Sequence, residues 1–344
     1  GEHFWGTGPI RFPTGKRQCV NAYAECLGHL TPEQLQAALD RFDLGRLVST
    51  APVTTGNFGQ NVFLTTTTGE YVFRGNPFFD WQLPKEREVA RILHERTTVP
   101  VPWPYHHEPS TDLFGWDYAI MPRLPGEMVN DAPALDQMTL ARSMGEILAR
   151  FQEATFDRAM AFDLAAGGFV ALPNGERANL ASHIRRNLDL SVTASACTSD
   201  ADAAWVRSLV TATERSTTEW TPSCLVHGDF TINNVVAEHG PDGWRITGVF
   251  DFMTGRIGSF EADLCRQFAL HRERTPAVGI AFLEAYFALC PPRSGYRHRV
   301  PLLLLDERLT LWEWIQRTQP DWWTFDIGLR DWAEPVLDAL LAYG

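Results

Sequence analysis

Hydrophobic positions along this chain follow two different rhythms, and the rhythm changes with position. Leu35, Ala38, Leu39 and Phe42 recur at helical spacing behind Thr31-Pro32-Glu33-Gln34. Those four residues supply an N-cap, a first-turn proline and a capping-box partner, so the pattern predicts a helix. From 48 to 75 the texture turns to β-branched and aromatic residues around Gly56-Asn57-Phe58-Gly59 and the turn-like Thr68-Gly69-Glu70. This predicts a twisted antiparallel sheet. In Tyr71-Val72-Phe73-Arg74 the alternation puts Val72 and Arg74 on one face, where an apolar contact and a cation can address one ligand.

Residues 84–95 predict a helix beginning at Pro84 and ended by the proline-rich Val99-Pro100-Val101-Pro102-Trp103-Pro104, because proline removes a donor and blocks helix continuation. The stretch from Tyr118 to Gly126 reads as a strand running into a proline- and glycine-bounded crossing. Leu140, Met144, Ile147, Leu148 and Phe151 mark the next amphipathic helix. Beyond it, 155–222 reads as mostly helical, 235–249 as a short two-stranded insert, and 276–344 as helical and rich in tryptophan. Sheet first and helices later predict an α+β architecture of two lobes: a lead-in over 1–29, an N-terminal antiparallel sheet lobe over 30–122, and a mainly helical C-terminal lobe over 123–344.

Length and composition agree with an enzyme-sized globular chain. The 344 residues are 44% apolar and 21% charged, enough to bury a large core and too apolar for wholesale disorder. A net charge of −12 argues against general nucleic-acid binding and suits a cationic ligand better. The six cysteines form no CxxC pair and no compact disulfide spacing, and no run reaches the roughly 20 apolar residues of a membrane span. The expectation is a cytoplasmic protein with reduced thiols, no nucleic-acid partner and no membrane partner.

The chemistry concentrates at His227-Gly228-Asp229-Phe230-Thr231-Ile232-Asn233-Asn234, followed by Val249-Phe250-Asp251-Phe252. Asp229 is a candidate acceptor for a hydroxyl proton, and Asn234 and Asp251 offer the hard oxygen ligands that magnesium prefers. Phosphoryl transfer needs little else from a protein, since alignment and charge neutralisation supply most of the catalysis.

HGDxxxxN with a later strand-end aspartate resembles the aminoglycoside phosphotransferase family over roughly residues 48 to 270. The resemblance implies a two-lobed protein-kinase-like fold, with a nucleotide held by the N-terminal lobe and an acceptor by the C-terminal one. It makes Asp229 the catalytic residue and Asn234 and Asp251 the Mg2+ ligands. It places Arg74 on the phosphates of ATP or GTP, with Glu86 orienting it and Glu88 as the competing helix carboxylate. Gly56, Gly59 and Asn61 fall where the family turns over the phosphates, although no GxGxxG occurs. Val72 would cover the base, Met121 to Arg123 would address its edge, His227 would be structural, and Asp263 would bond catalytic-loop backbone.

Several features point away from a protein substrate. Asp251 is followed by Phe252-Met253 without a DFG glycine, and only twelve positions separate it from Asp263, too few for an activation loop and peptide platform. The expected acceptor is a hydroxyl of a small molecule such as an aminoglycoside, a macrolide or another glycosylated antibiotic. Kinases of choline, homoserine, methylthioribose or fructosamine share the motif, and a non-catalytic binding protein is the alternative from another class. Asp306, Glu307, Glu313, Asp321, Asp326, Asp331, Glu334 and Asp338 could recognise amines, and the tryptophans among them could line a sugar-stacking pocket.

Overall fold

The computed structural model describes residues 30–53, 59–129, 137–194, 197–320, 323 and 326–343. The lead-in 1–29 and Gly56 lie outside them. The chain opens with helix α1 (Pro32–Asp40), capped as its sequence predicts: the Gln34 amide donates to Thr31 Oγ1 at 3.2 Å and the Thr31 amide to Gln34 Oε1 at 3.1 Å. Strands β1 (Leu47–Pro52), β2 (Gln60–Thr66) and β3 (Glu70–Gly75) follow. After helix α2 (Gln82–Arg96) come β4 (His106–Glu108) and β5 (Tyr118–Pro122), closing an antiparallel sheet of order β1-β2-β3-β5-β4.

The pleat sends alternate residues of this sheet into two different cores. Phe73, paired with Val62 and Ile120, packs with Leu64 and Tyr118 against Leu35, Ala38 and Leu39 of α1. The other face carries Val72, Ala119 and Met121 into the large core that α2 shares with the rest of the molecule. Helix α2 begins two residues before the predicted start, with Trp81 as N-cap and Pro84 third in the first turn. Proline is tolerated there because the first turn's N–H groups have no intrahelical acceptor in any case.

The C-terminal part is mainly helical: α3 (Gln137–Arg150), α4 (Gly175–Ala194), α5 (Asp200–Arg215), α6 (Ala262–Arg274), α7 (Pro276–Leu289), α8 (Tyr296–Thr318) and α9 (Leu329–Leu341). Helix α3 packs on α7, and α4 on α8. The expectation of a mostly helical 155–222 needs correction. Strands β6 (Thr155–Phe156), β7 (Met160–Asp163) and β8 (Gly168–Ala171) join β9 (Ser223–Val226) and β12 (Arg256–Gly258) in a second five-stranded sheet of order β6-β9-β12-β7-β8. Strands of two to four residues are too short to leave a period-two signature. Between β9 and β12 lies the hairpin β10 (Val235–Gly240) and β11 (Gly243–Val249), where a short two-stranded insert is predicted. No described helix is long and apolar enough to cross a membrane.

Candidate active site

The HGD loop leaves β9, passes through a short 3-10 turn at Ile232–Asn234 and enters β10. Its first residue is structural. His227 is fully buried among Phe151, Phe230 and Phe252, with ring centroids 5.3 to 6.4 Å away. Its Nε2 lies 3.0 Å from the Phe250 carbonyl and its Nδ1 accepts from the Asp229 amide at 3.3 Å, an arrangement that requires the proton on Nε2. Asp263, near the start of α6, receives the His227 amide at 2.6 Å and the Gly228 amide at 2.8 Å. Gly228 has φ +81°, and a Cβ there would meet the Thr254 carbonyl oxygen at 2.7 Å, so both conformation and space require glycine.

This scaffold leaves the Asp229 carboxylate two-fifths exposed. Asn234 donates its amide nitrogen to the Asp229 carbonyl at 2.8 Å and to Asp229 Oδ2 at 2.9 Å. That fixes the amide orientation and leaves the side-chain oxygen of Asn234 as an acceptor directed elsewhere.

Two residues past β11, Asp251 adopts the left-handed conformation, φ 64° and ψ 66°. An L residue held there stores backbone strain, which is characteristic of positions with a geometric task. Its Oδ1 lies 3.2 Å from Arg74 Nη2, and the same nitrogen donates to Glu86 Oε1 at 2.7 Å. Arg74 Nη1 reaches Asn61 Oδ1 at 3.3 Å, across the β2–β3 register in which these two residues are partners. Burial works against the Arg74 charge, yet Glu86 and Asp251 outweigh it and hold the guanidinium above its ordinary pKa. Glu86 is buried and also accepts from Tyr105 Oη at 2.9 Å and Gln82 Nε2 at 3.4 Å. Glu88 instead pairs with Arg91 on the outer part of α2.

The donor set suits magnesium. Among the described residues there is no cluster of three or more His, Cys, Asp or Glu side chains that could hold a metal by itself. The Asp251 carboxylate and the Asn234 amide oxygen are hard-oxygen donors of the kind that fit Mg2+ alongside phosphate and water.

The remaining sequence candidates divide. Val72 lies opposite Met121 in the β3–β5 ladder and shares a face with Arg74. Gly59 stands at the entry to β2, beside the Gly75 carbonyl. At Arg123 the backbone amide is already engaged. Its amide donates to the Glu70 carbonyl at 3.0 Å and its guanidinium lies 4.0 Å from the Phe63 ring. The amide is therefore spent inside the sheet, and strand alternation turns the neighbouring Pro122 carbonyl to the opposite side.

Sequence reasoning missed Tyr105 and Arg266. Tyr105 follows a proline-rich segment with no periodicity to place it. Arg266 had a signal: it sits three residues after Asp263 on α6, one turn along the same helix face. Its Nη2 donates to Asp229 Oδ1 at 2.7 Å, and its Nη1 lies 3.9 Å from Glu307.

Four of the eight C-terminal acidic residues are engaged with cations or histidine. Asp306 bonds His183, Glu307 lies between Arg266 and Arg308, Glu313 pairs with Arg317, and Glu334 with Arg330. Trp312 is fully buried and packs with Trp323 at 6.0 Å and Trp332 at 5.8 Å, so these rings form core instead of an open stacking surface. Asp321, Trp322 and Phe325 lie outside the described residues.

A family model described as the phosphotransferase enzyme family (APH) matches residues 50–303. A search of curated protein sequences gave no match. Among solved structures, the chain is similar to a candidate aminoglycoside phosphotransferase from Ralstonia eutropha JMP134, at 17% identity and a TM-score of 0.62, covering 92% of this chain and 98% of that one. It is similar to the macrolide 2'-phosphotransferase MphH from Brachybacterium faecium, at 19% identity and a TM-score of 0.56, covering 90% and 98%. A thermostable mutant of aminoglycoside phosphotransferase APH(4)-Ia, solved as a ternary complex with ADP and hygromycin B, matches at 16% identity and a TM-score of 0.56, covering 90% and 97%. These likenesses establish the fold, a sheet lobe followed by a mainly helical part in the kinase-like arrangement.

Proposed function

The chain belongs to the phosphotransferase enzyme family, and from that premise we propose that it moves the γ-phosphoryl group of a nucleoside triphosphate, ATP or GTP, to a hydroxyl of a small antibiotic-like molecule. The observation that carries this reading is the joint placement of Asp229 and Asn234. One amide group ties the candidate base to the candidate metal ligand at 2.9 Å, so hydroxyl and phosphate are presented in fixed relation.

In the proposed reaction the acceptor oxygen attacks the γ-phosphorus as the bond to the β–γ bridging oxygen breaks. The acceptor proton passes to Asp229, and the nucleoside diphosphate leaves with the bridging oxygen. Magnesium, held by Asn234 Oδ1 and Asp251, would neutralise phosphate charge. Arg74, kept cationic by Glu86, would take a phosphate oxygen in exchange for its contact with Asp251. Val72 and Met121 would supply an apolar bed for the base, and the Pro122 carbonyl an acceptor for its edge.

The test is nucleoside-diphosphate release from Mg-ATP and Mg-GTP across aminoglycosides, macrolides, other glycosylated antibiotics and small metabolic alcohols. Acceptor-dependent release should fall about a thousandfold in Asp229→Asn with nucleotide binding retained, and Asp251→Ala should raise the magnesium concentration needed. Turnover that survives Asp229→Asn removes the residue from the mechanism. Turnover restricted to a metabolic alcohol replaces the antibiotic-like acceptor. Nucleotide binding with no acceptor phosphorylated at all favours a binding protein.

A further inference from the structure

On the α6 side the group lying against the Asp229 carboxylate is a guanidinium. Asp229 is matched by Arg266 at 2.7 Å. Behind Arg266, Glu307 lies 3.2 Å from Arg308, which donates to Glu273 at 2.6 Å and lies 4.2 Å over the Trp332 ring. Asp306, the neighbour of Glu307 on α8, bonds His183 of α4, whose Nε2 lies 2.9 Å from Asn187. Arg266 is one-third exposed and Asp229 two-fifths, so both open on the same solvent-reached space. Arg266 Nε is buried without a hydrogen-bond partner, so the guanidinium is not saturated by its two carboxylates.

We infer that Arg266 is a specificity residue: it neutralises the acceptor side of Asp229, so that the site takes an uncharged, oxygen-rich acceptor, a neutral glycoside or polyol, in preference to a polyamine. The inference rests on the phosphotransferase reading and names its acceptor class. An ammonium group next to the reacting hydroxyl would approach a guanidinium within a few ångströms, and Glu307, the carboxylate behind it, lies 3.9 Å from Arg266 on the side away from Asp229 and 3.2 Å from Arg308. Like-charge apposition of this kind is a repulsive device against the wrong ligand. A hydroxyl or carbonyl oxygen has no such penalty and can accept from the guanidinium.

The test uses one carbon skeleton in two charge states, kanamycin and its fully N-acetylated derivative. Calorimetric Kd values are measured on protein loaded with Mg-AMP-PNP for the wild type, Arg266→Gln and Arg266→Glu. The ratio of the two Kd values cancels the bulk of the acetyl groups when variants are compared. The wild type should not prefer the polycation, and Arg266→Glu should move the ratio toward it by about tenfold or more, with Arg266→Gln between. AMP-PNP affinity within about threefold of the wild type certifies a folded variant; if Arg266→Glu fails that check, the uncharged Arg266→Gln decides. A wild type that binds kanamycin more than about tenfold tighter than the acetylated form overturns the inference. So does a ratio that the charge reversal leaves in place, including the case in which neither probe binds any of the proteins. Because binding is read without turnover, this outcome stands apart from a failure to find phosphoryl transfer.

Discussion

Replacing Glu86 by Gln removes one charge and almost no volume from the most buried ion pair of the site. The carboxylate is 3% exposed and Arg74 11%, with 2.7 Å between nitrogen and oxygen. At an effective dielectric near 20, that distance corresponds to about 6 kcal/mol of gross attraction. Desolvation of both ions offsets a large share of it, and breaking a buried pair from one side costs about 3 kcal/mol net. Gln keeps a carbonyl for Tyr105, so the loss is electrostatic more than steric. Spread over 344 residues, about 3 kcal/mol lowers the melting temperature by about 4 °C. The control is Glu88→Gln, two positions along α2, where the partner Arg91 is 40% exposed and the change should stay within about 0.5 kcal/mol. Urea midpoints and nucleotide affinity would be measured for both. Arg74 loses its inner anchor only in Glu86→Gln, so weaker nucleotide binding should accompany that variant alone. Equal effects from the two substitutions would refute the argument that burial and not helix position decides which glutamate orients Arg74.

Two further outcomes follow from the same reasoning. Asp263→Ala removes the common acceptor of the His227 and Gly228 amides and should cost about 3 kcal/mol in urea unfolding, with turnover lost because the loop no longer holds Asp229; a loss below about 1 kcal/mol would mean that other contacts hold the loop. Lys85 is buried, and burial together with nearby Arg256 lowers its ammonium pKa from 10.5 to about 7. Between about pH 7 and 10.5 the unfolded chain therefore binds more protons at this site than the folded one, and stability should rise with pH across that window. Lys85→Met should flatten that rise and stabilise the protein by about 2 kcal/mol below pH 7, which pH-dependent thermal melts would show; an unchanged slope would remove Lys85 as its source.

The parts of the site legible from sequence are those whose residues lie close together or carry a periodicity. His227 through Asn234 occupy eight consecutive positions, so their relation is set by local backbone. Val72 and Arg74 share a face because a strand alternates, and the α1 capping box is a four-residue pattern. What stayed hidden depends on contacts between distant segments. Tyr105 reaches Glu86 from 19 residues away with no local signature, and Arg266 reaches Asp229 from 37, marked only by its one-turn spacing from Asp263. The acidic run beyond 306 illustrates the same limit: composition counts carboxylates, and only the packing of α4, α6 and α8 reveals that His183, Arg266 and Arg308 already engage two of them. That the Arg123 amide donates to Glu70 could not be read from either segment alone, because the ladder register is a property of the β3–β5 pair.

The aromatic cage around His227 bears on the thermodynamics of ligand entry. Phe151, Phe230 and Phe252 enclose the ring while Asp263 holds two successive amides, so the loop that carries Asp229 is organised by the interior of the protein and needs no ligand to order it. Binding then carries little entropic debt at this loop. Calorimetry should accordingly report a heat-capacity change sized to the surface buried against the ligand, without the larger negative increment that accompanies coupled folding.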